Sequence, residues 1–184
     1  MGYVIASALM AVAVMWCITV RRRLMYMDEN IENAMSQICV QLSARLTALN
    51  GLLHLTKEYC TQETRLPDEG ELGCGSIITA SASPREVVQQ ERAVAESIRQ
   101  IRALSERYPE LKAQENYDKY MNAMDTYEKM VCTGSLIYND SVSKLNRELC
   151  RFPASLVGSL CGVRKREYLE ISEVKYDKAA DILS

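Results

Sequence analysis

A single histidine, His54, serves the whole of a 184-residue chain. No histidine dyad and no multi-histidine metal centre can be built from it, and its place on a helix flank reads as solvated. The seven cysteines, Cys17, Cys39, Cys60, Cys74, Cys132, Cys150 and Cys161, do not fill the gap. They are odd in number, scattered, and contain no C-x-x-C, which argues against a disulfide framework and against a zinc site. A reducing cytoplasm is the simpler host. An excess of positive charge is missing too. Setting aside Arg21, Arg22 and Arg23 leaves 19 basic residues of the 22 against 24 acidic ones, a net charge near −5. That is the wrong sign for a general nucleic-acid binder, whose affinity comes largely from phosphate neutralisation. The glycines of "GELGCGS" (70–76) lack both the preceding strand and the Lys-Ser/Thr ending of a phosphate cradle, so a loop is the simpler reading. No stretch alternates with period two for long enough to compete as a strand.

What is present begins with "MGYVIASALMAVAVMWCITV", twenty residues without a charged side chain. At ~1.5 Å per residue a helix of that length spans roughly 30 Å, the thickness of a bilayer's hydrocarbon core. Arg21, Arg22 and Arg23 follow at once. A cleavable signal peptide would carry its charge before the apolar run, and a buried core helix is the other alternative. The pattern favours a retained transmembrane anchor over 1–23, contacting membrane lipid, with the arginines on the cytoplasmic side. The N-terminus is then outside and the body cytoplasmic.

From Tyr26 to Cys60, Ile31, Ala34, Ile38, Leu42, Leu46, Leu49 and Leu53 recur at steps of three and four, the pattern of one long amphipathic helix. Asn50-Gly51 is a plausible bend within it. Residues 61–83 hold Pro67, Gly70, Gly73 and Gly75 and read as a polar loop. "SPRE" (83–86) then predicts a capped helix start, and Pro109 a stop. A third helix is expected from near Leu111 to Arg151. Its seam runs through Tyr117, Tyr120, Met124, Tyr127, Val131, Ser135, Tyr138, Val142, Leu145, Leu149 and Phe152, with one four-four step at Val131 that reads as a stutter. Three such stripes must pack on one another. The expected architecture is all-α: a single N-terminal transmembrane helix, a long antiparallel three-helix bundle over 24–153, and a short C-terminal helix and tail over 154–184. If the first helix leads outward, the far end of the third lies away from the membrane.

"YNDSVSKLNRELCRFP" (138–153) carries the densest pattern but no nucleophile, base or ligand set. Tyr138 and Phe152 belong to its apolar face, and Pro153 ends it. Asn139 and Asn146, seven apart beside the seam, either fix register or face water. Beyond them, Leu156, Val157 and Leu160 precede Gly162 and the basic run Arg164, Lys165, Arg166. This is either a short helix folded back with a solvated basic turn, or a docking hook for an acidic partner. The tyrosines of helix three read as core with a wet hydroxyl, rather than as a ligand cage. The carboxylate pairs Asp28/Glu29 and Glu167/Glu170 read as solvated faces, so no catalytic or metal-binding residue is assigned and no cofactor is expected.

Four segments, "SQICVQL" (36–42), "YPELKAQENY" (108–117), "YNDSVSKLN" (138–146) and "FPASLVGSLCG" (152–162), resemble the LemA family of bacterial membrane proteins in content and order. The resemblance implies a single-pass protein with a cytosolic helical bundle. It also implies association with other membrane proteins, since relatives have been linked to membrane-bound metalloproteases and to magnetosome membranes. The chain departs from the family where Cys39 replaces a usual Asp, where Arg is missing near Ala44, Ser135 and Leu136, and where Asn50-Gly51 replaces Pro-Asn. Acid and bases absent together suggest a semi-buried charge network exchanged for neutral residues. The expected function is a membrane-tethered scaffold or adaptor that binds or regulates another membrane protein, with no catalysis of its own. The alternative is an enzyme or ligand sensor with a site between the helices, which clustered inward-facing ionisable groups would favour.

Overall fold

The computed structural model describes residues 1–59 and 82–171, and these are helical without a strand. The elements are α1 (Gly2–Tyr59), α2 (Pro84–Arg107), the single turn α3 (Pro109–Lys112), α4 (Glu115–Leu149) and α5 (Ala154–Cys161). All but the last two residues of the loop expected at 61–83 lie outside the described residues, as does Cys74. Backbone contacts group the chain into two units, Met1–Asn33 with Ile137–Tyr168, and Ala34–Leu136 with Leu169–Ser184.

In the second unit, α1 stays helical through Asn50-Gly51. The glycine also serves packing. A Cβ there would meet Tyr120 ring carbons at 2.5 Å, so only hydrogen leaves room for the ring. α2 starts where the sequence puts it: the Ser83 hydroxyl accepts from the Glu86 N–H at 3.3 Å, and the Glu86 carboxylate accepts from the Ser83 N–H at 2.7 Å. Those bonds hold the Glu86 carboxyl below its ordinary pKa. The third helix does not run unbroken from Leu111. The Ala113 N–H closes a turn onto Pro109 O at 3.0 Å, buried Leu111 pins that turn, and α4 begins afresh at Glu115.

Helix directions follow from the cross-links. Gly51 beside Tyr120 and Gly134 beside Ile38 set α4 antiparallel to α1. Arg102 to Asp125 at 3.3 Å, and the Tyr117 hydroxyl donating to Ser105 Oγ at 3.0 Å, set α4 antiparallel to α2. α1 and α2 therefore share a direction. The core forms between the three stripes: Leu42, Leu49, Leu52, Ile101 and Met124 are wholly buried. Each contributes about 1.5–3 kcal/mol through burial.

In the first unit, residues 1–19 of α1 are exposed throughout. An 18-residue window there has mean hydropathy 2.2 and none of it is buried. Among the described residues this is one helix long and apolar enough to cross a membrane. Past it, Leu24, Ile31, Tyr138, Val142 and Leu145 are buried. Phe152, expected on the same face, is 81 % exposed. The reason is local: α4 ends at Leu149, and the Cys150 and Arg151 N–H groups turn back to Arg147 and Glu148, so the helical phase never reaches residue 152. α5 then buries Ala154, Val157 and Gly158. A Cβ at Gly158 would collide with Leu149 and lie 3.6 Å from Leu24 Cδ1, so glycine again permits close approach. Gly162, at φ 74°, reverses the chain in a left-handed cap that other residues adopt poorly, with the Val163 N–H donating to Gly158 O at 3.0 Å. The end of α4 thus lies beside Leu24, next to the apolar run. The expectation that it points away from that run is corrected.

Candidate functional site

Two charged clusters stand out, one in each unit. In the second unit Arg45 is 0 % exposed. Its Nη1 donates to Glu91 Oε1, and its Nη2 to Glu128 Oε2 at 2.7 Å. The Arg45 Nε has no hydrogen-bond partner. Three helices each contribute one charged residue to this layer: Arg45 and Glu91 are buried, and Glu128 lies at its edge with a side chain 34 % exposed. Ile38, Leu42, Arg45, Leu49, Leu52 and Thr56 alternate steps of four and three, and all are buried. So do Val87, Glu91, Val94, Ile98, Ile101 and Ser105. On α4 the same stepping runs Met124, Glu128, Val131, Ser135, Tyr138. Followed back to Tyr120, which packs beside Gly51, this seam has its four-four step at Met124 rather than at Val131.

This layer corrects the sequence reading that the seams hold only apolar, aromatic and small residues. A charged layer is present at positions other than those where the sequence suggests an exchange for neutral residues. Cys39 is buried and Ser135 turns its hydroxyl to Val131 O at 2.7 Å, so those positions are indeed neutral. The charge sits elsewhere, at Arg45, Glu91 and Glu128.

In the first unit Arg166 lies on the extended segment after α5. Its Nε and Nη2 clamp Asp28 through Oδ1 at 2.8 Å and Oδ2 at 2.9 Å, and Nη2 also reaches Glu32 Oε1 at 3.0 Å. The hydrogen bond to Asp28 pushes the guanidinium pKa above its ordinary value, against the lowering effect of burial. Asn146 on α4 holds the same residue by its backbone. Its Oδ1 accepts from the Arg166 N–H and its Nδ2 donates to Arg166 O, both at 3.0 Å, as a neighbouring strand would. The Tyr138 hydroxyl donates to Glu167 O at 3.0 Å. Burial raises the Tyr138 pKa, with nearby Arg166 working the other way, so the phenol stays a neutral donor at neutral pH.

The structure places the sequence-assigned residues as follows. Tyr138 and Asn146 converge on the segment at 166–167, so the Asn146 amide registers that segment on α4. Asn139 is half-buried on the same helix, Pro153 starts the turn into α5, and Phe152 is exposed. Arg164 and Lys165 are exposed, and Arg166 is engaged with Asp28 and Glu32, so the basic run is two exposed cations and one clamp. Asp28, read as a solvated carboxylate, is half of that clamp. The Tyr117 and Tyr138 hydroxyls, read as wet, are bonded internally. Strict four-three stepping through Arg45, Glu91 and Glu128 was the signal available for the buried layer. Nothing in the sequence pairs Asp28 with Arg166 across 138 positions. Among the described residues no group of three or more His, Cys, Asp or Glu side chains could hold a metal ion.

Fold and site together define an all-α protein in which one helix carries an apolar, span-length stretch and then packs into a helical core crossed by a buried charged layer. The chain belongs to the LemA family, whose model matches residues 34–182. No curated protein matches it.

Proposed function

We propose that the chain is a membrane-tethered scaffold, anchored through residues 1–23 with its helical body in the cytoplasm, that binds or regulates another membrane protein. The observation that carries the reading is α1 itself. One uninterrupted helix, Gly2–Tyr59, supplies an apolar stretch with no residue buried and, past Arg21, Arg22 and Arg23, a face buried from Leu24 on. The arginines favour the cytoplasmic side for that boundary. Exposed Arg164 and Lys165, on a body of net negative charge, suit an acidic patch on the partner, with affinity that falls as salt rises. A second reading, a sensor with a ligand between the helices, gains from the inward-facing cluster at Arg45. Its bonds to Glu91 and Glu128 are equally accounted for by register between helices.

The test is a pull-down from detergent-solubilised membranes with the full chain and with Arg164→Glu/Lys165→Glu, leaving the Arg166 clamp intact. Loss of a co-purifying membrane protein at low salt, with unchanged circular dichroism, is the expected result. An unchanged partner list with an unchanged salt response would remove the basic pair from the reading. Orientation is checked in intact cells by an impermeant thiol reagent on Lys119→Cys, an exposed position, with the labelled peptide identified by mass. Labelling before the membrane is opened would reverse the topology.

A further inference from the structure

The short helix α5 is amphipathic in an unusual sense. Ala154, Val157 and Gly158 are buried, while Leu156 and Leu160, one turn apart on α5, are 58 % and 87 % exposed, and Phe152, in the turn just before the helix, is 81 % exposed. Single exposed apolar residues are ordinary, but two on one side of an eight-residue helix with a third in the turn that leads into it are not. Their position supplies the occupant. The buried side of α5 rests on Leu149 and Leu24, and Leu24 follows Arg23 directly. Four residues of helix separate it from Val20, the last residue of the apolar run, a rise of about 6 Å. A bilayer's polar layer is roughly 5–7 Å thick on each side, the difference between its ~30 Å core and its ~40–45 Å total. α5 therefore stands at headgroup height.

The charge around it fits that depth. Arg21 and Arg22 are exposed, Arg23 and Arg151 flank Glu148 at 3.4 Å and 3.8 Å, and Arg147 is exposed on the last turn of α4. Tyr26, 65 % exposed, adds an aromatic of the kind found at membrane–water boundaries. A short helix with an apolar edge, among arginines, has the composition of an interfacial element that binds anionic lipid.

The geometry points to α5 as a second membrane contact, a helix lying in the headgroup layer with Phe152, Leu156 and Leu160 in the acyl boundary. This rests on the anchor reading above, and the two are separable by experiment. The chain's single tryptophan, Trp16, lies in the apolar run and reports on the anchor. The full chain is reconstituted in phosphatidylcholine–phosphatidylglycerol vesicles containing lipid brominated either near the headgroup or deep in the acyl chain. In the parent protein, quenching of Trp16 tests the anchor. In Trp16→Phe/Leu160→Trp, the sole indole sits on α5 at an exposed position where folding does not depend on the leucine. Quenching at least about twofold stronger by shallow than by deep bromine is expected, matching insertion of about 5–10 Å. That quenching should grow with the phosphatidylglycerol fraction. An unquenched, water-exposed indole on α5 with Trp16 still quenched would overturn the proposal and leave the anchor standing. An unquenched but blue-shifted indole would equally overturn it, by showing that protein covers the face. Failure of Trp16 itself to be quenched would overturn the anchor, and the proposal with it.

Discussion

Arg45 and Arg166 each draw two carboxylates together, and their surroundings differ in almost every other respect. Arg45 is sealed in a helical core, its side chain 0 % exposed, with one partner at 6 % and the other at 34 %. Arg166 is 40 % exposed, with partners at 22 % and 67 %. The first joins three helices through side chains alone. The second ties an extended segment to α1 through its guanidinium and to α4 through its backbone. A buried charge loses hydration worth several kcal/mol that its partners must replace, so its worth lies in what happens when one member is absent. A half-exposed clamp keeps much of its hydration and acts as an adjustable fastening. The core cluster therefore selects one alignment of the helices, and the outer one sets whether the C-terminal segment stays docked.

The largest expected effect tests that distinction. Arg45→Met removes the guanidinium that Glu91 and Glu128 share, and should cost about 3–5 kcal/mol. Exchanging the whole layer, Arg45→Met with Glu91→Leu and Glu128→Leu, should recover part of that loss, because both carboxylates leave with their guanidinium. Thermal melts of the detergent-solubilised full chain measure both. Additive losses in the triple variant would mean that the layer stabilises the fold outright rather than specifying it.

Next in size is the clamp. Asp28→Asn removes the bidentate partner of Arg166 but leaves the Asn146 bonds in place. A charge-assisted pair contributes about 1.5–3 kcal/mol when shielded, and partial exposure should reduce this to roughly 1–2 kcal/mol. The loss should be local. Amide exchange should accelerate over 163–171 while α2 stays protected. A uniform acceleration across both units would erase the contrast between core cluster and outer fastening.

How much of this could be read in advance depended on sequence distance. The helices, the Ser83 cap and the buried face of α1 from Ile31 to Leu53 follow from spacings within a few turns, and the structure keeps them. The packing use of Gly51 has no local signal, because it is set by Tyr120, sixty-nine positions on. Arg45, Glu91 and Glu128 were passed over because a search for apolar residues steps around a charge, even when the four-three rhythm runs through it. That detour also set the four-four step at Val131 rather than at Met124. The clamp had no local signature at all: Arg166 belonged by sequence to a basic run, and only the reversal at Gly162 brings it to Asp28.

The smallest expected effect sharpens the comparison most, because it separates exposure from geometry within one cluster. Glu32 sits one turn from Asp28 on α1 and meets the same Nη2 at 3.0 Å, yet its side chain is 67 % exposed. An exposed pair gains little Coulomb energy in a high-dielectric surround and gives up side-chain entropy, so Glu32→Gln should cost no more than about 0.5 kcal/mol. Salt then orders the variants. Raising ionic strength from about 0.1 M to 1 M shortens the screening length from ~10 Å to ~3 Å. That should abolish the Glu32→Gln loss, diminish the Asp28→Asn loss without removing it, and leave the Arg45→Met loss nearly unchanged, since no solvent reaches Arg45. The measurement is the midpoint of thermal unfolding for each variant against the parent at the two salt concentrations. A Glu32→Gln loss that matched Asp28→Asn and persisted at high salt would mean that both carboxylates are held as tightly as the core pair, and that exposure is not what separates the two clusters.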